Sequence, residues 1–479
     1  MQLFSKTILV LVGISVATAC TQDFEEINTN DNAPISVQPE FLLRQVVYDM
    51  GEQMSYEGFV AGNLLGQYFT AIDFNLFDRH SLTEPQFGGN PWPVLYRNLR
   101  DNETLLALAK ENPVHAVYEG PALVMKAYIA AMITDIYGDV PYFEAASGTE
   151  GVVKPAYDAQ QDIYLAEGGI LDNLETAITL LKGYTGTQAL QGDILYGGDL
   201  QGWVAFANSL LIKSLLRISS AENTAAQLQQ LVNAAEYIQG NSTNATYDFT
   251  NSQPNNFRMA NLRSGDFNLF VMSETMQEIT EQLNDPRVAV WFRTAEGFPG
   301  EYRGLLNGPD ASQTSISVAD YSLSGTIFRE ETGRLDANFI TAWETSFLLA
   351  EAAERGLISG DAQAYYEQGV TQAFAYWGVD LPADYLAGAA AYGANGADPV
   401  EQIITQKWLA QSVNGYEGWI EYRRTGYPAL KTISASLNND LIPVRLPYPA
   451  DEQALNRENY ELATAQSGNS INATVWWDQ

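Results

Sequence analysis

Most long segments of the chain follow the period of an α-helix. Across Gly202–Ser220, apolar residues recur at i, i+3 and i+4 from Trp203 to Ile218. Asp199 comes just before this segment and is a candidate N-cap. Pro121–Gly138 is apolar on nearly every side, which predicts a buried helix. We predict further strong helices over 336–356 and 399–426, and weaker ones over 228–240 and 362–378.

The stretch between Asn241 and Phe339 has a different texture. Asn, Ser, Gly and Pro dominate it, and no helical period of useful length follows Asn284. No series of alternating strands in the chain indicates a large sheet. We therefore predict one mainly helical domain over residues 40–479, with a loop-rich, ligand-facing insertion at about 241–338.

The first twenty residues have the pattern of an export signal. Lys6 gives a basic start, Ile8–Val16 is apolar, and small residues lead to Cys20. The apolar run is too short to span a bilayer, so we predict that residues 1–19 are a signal peptide that is removed. Cys20 at this place resembles the processing site of a bacterial lipoprotein, where the cysteine carries the lipid. The alternative is an ordinary signal followed by an incidental cysteine.

Residues 20–39 are polar, rich in Asn, and without helical or strand period. They are interpreted as a tether between the lipidated Cys20 and the folded domain. Asp23, Glu25 and Glu26 lie close to the cysteine and resemble the surface-export signal of Bacteroidetes lipoproteins. Cys20 is the only cysteine of the chain, so it has no internal disulfide partner.

The charge balance limits the partners of the protein. The chain has 25 Lys and Arg against 58 Asp and Glu, and its formal net charge is −33. Nucleic-acid binding is excluded because phosphates need a basic surface, and charge-driven docking on anionic lipid is disfavoured. The chain also has 26 Tyr and 9 Trp. Tyr suits surfaces that must be both hydrated and adhesive.

Catalytic chemistry finds little support in the sequence. The two histidines, His80 and His115, lie far apart, and neither an HExxH zinc motif nor a GxSxG nucleophile motif is present. With 58 acidic residues, pairs suited to glycoside hydrolysis arise by chance. Asp135 and Asp139 are interpreted as residues of a helix end and a turn. We expect no catalytic residue, no bound metal and no cofactor.

Several strings together resemble one family. They are "DFEEINTNDNAPI", "MITDIYGDVPYFEA", "KPAYDAQQDIY", "YGGDLQGWVAFANSLLIKSLLRIS", "DPRVAVWF", "WIEYRRTGYPAL" and "TVWWDQ". In this order they resemble the SusD/RagB-type nutrient-binding lipoproteins, most closely the SusD-like, starch-binding subgroup. The resemblance implies a mainly α fold with four tetratricopeptide-like helix pairs and loop-rich insertions. Trp203, Trp343, Trp408 and the pair Arg423-Arg424 are then expected to be scaffold.

The resemblance also implies a role. Family members are lipid-anchored on the outer face of the outer membrane, where they cover a TonB-dependent, SusC-like transporter and deliver oligosaccharides to it. RagB-like members bind peptides instead. Such proteins are not enzymes. Two other readings stay open: an all-α glycoside hydrolase or lyase, suggested by the acidity and the aromatic residues, and a purely structural surface protein.

In this family the ligand site is formed by loops that face the transporter. Two loop regions of this chain fit that description, because aromatic rings can stack on sugar rings while polar side chains bind the hydroxyls. The predicted ligand contacts in the first region are Asp73, Phe74, Phe77, Arg79 and Trp92. Those in the second region are Trp291, Phe298, Tyr302, Arg303 and Tyr321. The alternative for each aromatic residue is loop packing.

Overall fold

The structure is a computed structural model that describes residues 37–83, 87–313, 315–412 and 415–478. The predicted signal peptide, Cys20 and the tether as far as residue 36 lie outside the described residues. The α-helices are α1 Pro39–Glu57, α2 Asn63–Leu65, α3 Trp92–Glu111, α4 Glu119–Tyr137, α5 Gln160–Leu165, α6 Ile170–Gly183, α7 Leu200–Arg217, α8 Ala225–Ala234, α9 Ser264–Phe267, α10 Glu274–Leu283, α11 Val288–Trp291, α12 Ala342–Glu354, α13 Ala362–Tyr376, α14 Pro399–Ala410, α15 Gly415–Thr425, α16 Ala450–Leu455 and α17 Arg457–Ala463.

The longer helices pack against their neighbours along the chain. Four consecutive pairs pack together: α3 with α4, α6 with α7, α12 with α13, and α14 with α15. Helix α1 packs on α3 and closes the first pair. The prediction of a mainly helical fold built from helix pairs is confirmed.

The β-structure of the described residues is small. Strand β1 (Phe69–Ala71) pairs antiparallel with β3 (Phe270–Met272), and β2 (Ala245–Asp248) pairs antiparallel with β4 (Asp336–Ile340). Both sheets join segments that are far apart in sequence. They therefore fix where the loops between residues 241 and 340 lie on the helical scaffold.

Polar caps set where several helices begin. The N-cap side chain accepts a hydrogen bond from the first helical turn at Asp199, Ser273, Thr341, Asp361 and Asp398. Such caps satisfy backbone N–H groups that have no partner inside the helix. The predicted N-cap Asp199 is confirmed, since its Oδ1 accepts from the Gln201 amide at 2.9 Å.

Three predicted helices are wrong in part. The segment 336–356 begins with strand β4, in which Ala337 and Phe339 are buried and alternate with half-buried polar residues, and the helix starts only after Thr341. The segment 399–426 is two helices, because α14 ends at Ala410 and α15 begins at Gly415. The weaker helix predicted over 228–240 is Ala225–Ala234, and the residue after it, Ala235, has a left-handed φ of 53°.

The break between α14 and α15 has a steric cause, because two backbone segments cross there. A π-helical turn, Gly58–Gly62, follows α1 and lies against the start of α15. A Cβ atom added at Gly62 would lie 2.2 Å from the Tyr416 nitrogen, and one added at Gly415 would lie 2.2 Å from the Asn63 nitrogen. Only glycine permits this approach.

Buried ion pairs connect the helix pairs at their centre. Arg217 of α7 is 2% exposed and contacts Glu421 at 2.5 Å, Glu417 at 2.6 Å and Asp135 at 3.2 Å. Further members of this charged network are Lys213, Glu344, Glu351, Lys407 and Arg424. Burial alone would raise the pKa of Glu417, but the nearby cations lower it to about 2.

The residues assigned to the scaffold from sequence are buried. Trp203, Trp343 and Trp408 are at most 1% exposed, and Arg423 donates to the Asp135 carbonyl at 2.6 Å. This prediction is confirmed. Within the part of the chain that the structure describes, one helical segment, Pro113–Tyr137, is long and apolar enough for a membrane span, but 78% of its apolar window is buried, as expected of a core helix.

Candidate functional site

The β1–β3 sheet brings the two predicted loop regions together. Strand β1 leads into the first region, and β3 forms hydrogen bonds with the second. The Met272 amide donates to the Ser322 carbonyl at 2.8 Å, and the Leu305 amide donates to the Met272 carbonyl at 2.9 Å. Two segments more than 200 residues apart in sequence therefore meet at one sheet.

A buried carboxylate, Asp78, holds both loop regions in place. Its two oxygens accept hydrogen bonds from four donors: Thr70 Oγ1 at 2.7 Å, the Ala71 amide at 3.1 Å, Asn307 Nδ2 at 2.7 Å and the Gly308 amide at 2.8 Å. Burial raises the pKa of Asp78, and these donors oppose the rise. The carboxylate thus replaces water for donors from both regions, which positions the loops rigidly.

A third segment joins the first region through Arg79. Its Nε donates to the Ala435 carbonyl at 2.9 Å, and its guanidinium lies 3.5 Å from the Asp310 carboxylate. The Leu437 amide donates to the Arg79 carbonyl at 2.7 Å. Residues 434–441 therefore border both predicted regions, and Arg79 connects the three segments.

Phe74 is the most exposed aromatic side chain among the predicted ligand contacts. Its ring is 58% exposed although it lies edge-on to Phe87, with 6.4 Å between the ring centroids. Its φ is 48°, in the left-handed region, and its amide is bonded to Asp73 Oδ1 at 2.8 Å. A bulky residue in this conformation costs on the order of 1–3 kcal/mol, and such strain clusters at functional sites.

In the second region, Phe298 and Arg303 form a cation–π pair. The guanidinium of Arg303 lies 3.9 Å from the centroid of the Phe298 ring, and its Nε donates to the Asp320 carbonyl at 3.1 Å. Phe298 remains 37% exposed. A cation over one face leaves the other face of the ring available, so this pair can present a flat apolar surface.

Three predicted ligand contacts are core residues. Trp291 is 0% exposed and packs edge-on against Trp377, Phe77 is 4% exposed, and Trp92 is 8% exposed and packs against Tyr96. A side chain without exposed surface cannot stack on a ligand, so these three act as loop packing. The other predicted residues keep exposed surface: Asp73, Phe74, Arg79, Phe298, Tyr302, Arg303 and Tyr321.

We call the exposed faces of residues 72–80, 293–313, 315–323 and 434–441 the loop surface. Sequence reasoning missed its last segment, which exposes Leu437 by 50% and Leu441 by 53%. Asn439 and Asp440 between them have positive φ values of 53° and 63°. The run Leu-Asn-Asn-Asp-Leu is a turn signal between apolar residues, and it was the available clue.

The histidine of the described loop surface, His80, is buried. Burial lowers the pKa of His80 to about 4, and its Nδ1 lies 3.1 Å from the Leu441 carbonyl oxygen. Among the described residues, no group of three or more His, Cys, Asp and Glu side chains is placed to hold a metal ion. The geometry suits stacking and hydrogen bonding of a neutral ligand.

Comparison with known proteins identifies the family. Residues 31–449 match the family model for SusD-like proteins, described as "Starch-binding associating with outer membrane". The chain belongs to the SusD-like family. Membership places it among carbohydrate-binding proteins that associate with the outer membrane. Among curated protein sequences, no match to the chain was found.

Solved structures share the fold of this SusD-like protein. A SusD homolog from Bacteroides fragilis superimposes with a TM-score of 0.79 at 22% identity, over 92% of this chain and 100% of that one. A SusD homolog from Bacteroides uniformis gives 0.73 at 25% identity, over 92% and 98%. A chitin-binding SusD homolog from Flavobacterium johnsoniae gives 0.75 at 23% identity, over 92% and 98%.

Proposed function

We propose that this SusD-like protein captures oligosaccharides on its loop surface and delivers them to a TonB-dependent, SusC-like transporter. The observation that carries the proposal is Phe74, an exposed ring in strained backbone on a loop fixed by Asp78. An exposed apolar ring costs free energy, and a ligand that stacks on the ring would remove that cost. Phe298 with Arg303 offers a second stacking platform.

The expected affinity is modest. Each aromatic contact contributes about 0.5–1.5 kcal/mol beyond area burial. Two rings and a few hydrogen bonds give binding free energies of roughly −4 to −8 kcal/mol, which correspond to millimolar to micromolar dissociation constants. Weak binding suits a protein that must release its cargo to a transporter.

The ligand class can be determined by calorimetry with a panel of oligosaccharides. The panel should include starch fragments, because of the family description, and chitin fragments, because of the Flavobacterium johnsoniae homolog. We expect saturable binding of at least one neutral oligosaccharide. Binding of peptides alone would replace the proposal with the RagB-like alternative, and no saturable ligand at all would leave a structural role.

We propose further that the protein does not cleave its ligand. The one histidine of the described loop surface, His80, is buried, and its buried Asp78 already accepts four hydrogen bonds, so neither side chain is free to act on a bound ligand. Incubation of purified protein with its bound oligosaccharide should release no new reducing ends over hours. A release that is lost on changing one carboxylate to its amide would establish the hydrolase or lyase alternative.

Surface anchoring is proposed to occur through a lipid on Cys20. We expect Cys20→Ser to move the protein from the membrane fraction to the soluble fraction, because each buried CH₂ of the lost acyl chains contributes about 0.8 kcal/mol. The control is Thr21→Ser, a change of the next residue that keeps the cysteine. Membrane retention of the Cys20→Ser protein in cells without the transporter would contradict lipid anchoring.

A further inference from the structure

A cavity lies beside the β2–β4 sheet, lined by residues outside the loop surface. Its volume is about 460 Å³. It lies between the turn at residues 241–244, both strands and helix α13. Polar side chains dominate its lining, and they include Asn241, Asn244, Tyr247, Asp248, Asp336 and Tyr376. None of the described lining residues is cationic.

Two carboxyl groups face each other across the end of this sheet. Asp248 and Asp336 are register partners in the antiparallel pair. Burial, and next the charge of Asp248, raises the pKa of Asp336 to about 7. Near physiological pH the pair therefore holds negative charge without a cation to balance it.

The groups packed around the pair do not neutralise it. Tyr376 of α13 donates to Asn338 Oδ1 at 3.1 Å and lowers the pKa of Asp336 only in part. Tyr247 of β2 packs edge-on against Tyr48 of α1, with 5.5 Å between the ring centroids. Burial, and then the charges of Tyr48, Asp248 and Glu52, raise the pKa of Tyr247, so Glu52 adds negative charge to this region. Burial raises the pKa of Glu52, and the charge of Arg258 opposes that rise. The Arg258 guanidinium itself lies 4.4 Å from the centroid of the Tyr56 ring and is hydrogen-bonded to Gln53.

The neutral part of the lining has an unused acceptor. Asn241 donates its amide to the Gln372 carbonyl at 2.9 Å, while its buried Oδ1 has no hydrogen-bond partner. A buried acceptor without a partner costs roughly 1–3 kcal/mol. This oxygen has almost no accessible surface, so a ligand in the cavity would contact the other polar side chains of the lining.

The size of the cavity selects the class of ligand. A volume of 460 Å³ is in the range of small-molecule pockets, about 300–1,000 Å³. It is far larger than a single ion needs, because Ca²⁺ is enclosed by oxygen ligands at about 2.3–2.6 Å. A sugar-sized molecule with one positive group fits both the volume and the uncompensated charge.

We propose that this cavity binds a polyhydroxylated molecule that carries a protonated amine, of the amino-sugar class, with its ammonium between Asp248 and Asp336. The hydroxyl groups would bind the Asn and Tyr side chains of the lining. This site is separate from the loop surface and does not depend on the function proposed for that surface.

Calorimetry with a matched pair of probes tests the proposal. The probe is 6-amino-6-deoxyglucose, an alkylamine that stays protonated up to pH 8, and the neutral control is glucose. We expect saturable binding of the amino sugar that is at least tenfold tighter than binding of glucose at pH 8. Affinity should fall at least threefold from pH 8 to pH 5.5, because protonation of Asp336 removes one negative charge.

Substitutions of residues that line the cavity test where the amino sugar binds. Asp248→Asn and Asp336→Asn should each weaken amino-sugar binding at least tenfold, whereas Glu111→Gln, an exposed acid outside the cavity, should change nothing. Thr246→Lys places an ammonium on the same strand face as Asp248 and should also abolish binding. None of these changes should alter binding of a neutral oligosaccharide on the loop surface, which separates the two sites.

Other outcomes of these experiments would contradict the proposed amino-sugar site. Equal binding of glucose and the amino sugar, or unchanged binding in both Asn variants and in Thr246→Lys, would overturn the proposal. Binding of Ca²⁺ that displaces the amino sugar at its usual concentrations would reassign the cavity as a metal site. Circular dichroism melting of each variant confirms folding, and the Thr246→Lys result decides the matter if either Asn variant does not fold.

Discussion

At the scale of single residues, Phe74 and Asp78 have different roles in the loop surface. Phe74 carries the exposed ring in left-handed backbone, and Asp78 holds that backbone by accepting from Thr70, Ala71, Asn307 and Gly308. Neither role depends on catalysis. A rigid loop loses little entropy when it binds, which favours recognition of a flexible oligosaccharide.

Asp78→Asn should loosen both loop regions. An amide has one acceptor oxygen and presents an NH₂ group where the carboxylate receives donors, so at least one buried donor loses its partner. We expect a loss of about 1–3 kcal/mol in the free energy of unfolding. Hydrogen exchange should show faster exchange of the Ala71 and Gly308 amides.

The control for this change is Asp310→Asn, which alters an acid at the exposed edge of the same loops. Asp310 pairs with Arg79 at 3.5 Å and its side chain is 26% exposed. Its substitution should leave the free energy of unfolding close to that of the wild type, because exposed ion pairs contribute little. Equal effects of the two variants would show that Asp78 does not hold the loops.

Sequence reasoning identified loop regions better than it identified contacts. The helical period and the turn-rich texture located both loop regions, and the structure brings them together at β1 and β3. The aromatic character of Trp291, Phe77 and Trp92 predicts ligand contact, but the same apolar surface that suits a ligand also suits a core. Burial depends on distant segments, and a single sequence does not show which segments meet.

At the scale of elements, the crossing of the π-helical turn 58–62 with α15 fixes the position of the last helix pair. Gly62 and Gly415 allow backbone to approach backbone there, and Asn63 Nδ2 donates to the Ser412 carbonyl at 3.1 Å. Sequence periodicity joined α14 and α15 into one helix because both have apolar faces. The close approach that separates them involves a segment about 350 residues earlier.

Gly62→Ala should destabilise the protein by more than about 2 kcal/mol, because the new Cβ would lie 2.2 Å from the Tyr416 nitrogen and neither backbone can move freely. Gly183→Ala, at a helix end with open space around the glycine, should instead be neutral or stabilising by up to about 1 kcal/mol. Urea unfolding of both variants measures the difference. A Gly62→Ala protein as stable as wild type would disprove the steric role of this crossing.

At the scale of the whole molecule, the buried charged network makes the fold sensitive to acid. Cations hold the pKa of Glu417 near 2, below its unfolded value of about 4.5. The stabilisation from this group is therefore complete above pH 4.5 and is lost as the pH falls from 4.5 towards 2. The network unites α4, α7, α12, α14 and α15, so its protonation affects every helix pair that it joins.

We expect the free energy of unfolding to fall by on the order of 3 kcal/mol between pH 5 and pH 2.5. The net charge of −33 acts in the opposite direction, because protonating surface acids relieves their repulsion. Urea unfolding at pH 7, 5, 3.5 and 2.5 distinguishes the two effects. Stability that rises steadily down to pH 2.5 would show that surface repulsion outweighs the buried network.

The exposed ring of Phe74 is the main ligand contact proposed for the loop surface, and its contribution can be measured by titration. The oligosaccharide that binds wild-type protein is titrated calorimetrically into Phe74→Ala and into Phe41→Ala, which removes a ring that is 62% exposed on α1 outside the loop surface. We expect Phe74→Ala to weaken binding about two- to tenfold, from the loss of about 0.5–1.5 kcal/mol of stacking, while Phe41→Ala binds as wild type does. Undiminished affinity of a folded Phe74→Ala protein would contradict the assignment of the loop surface as the oligosaccharide site.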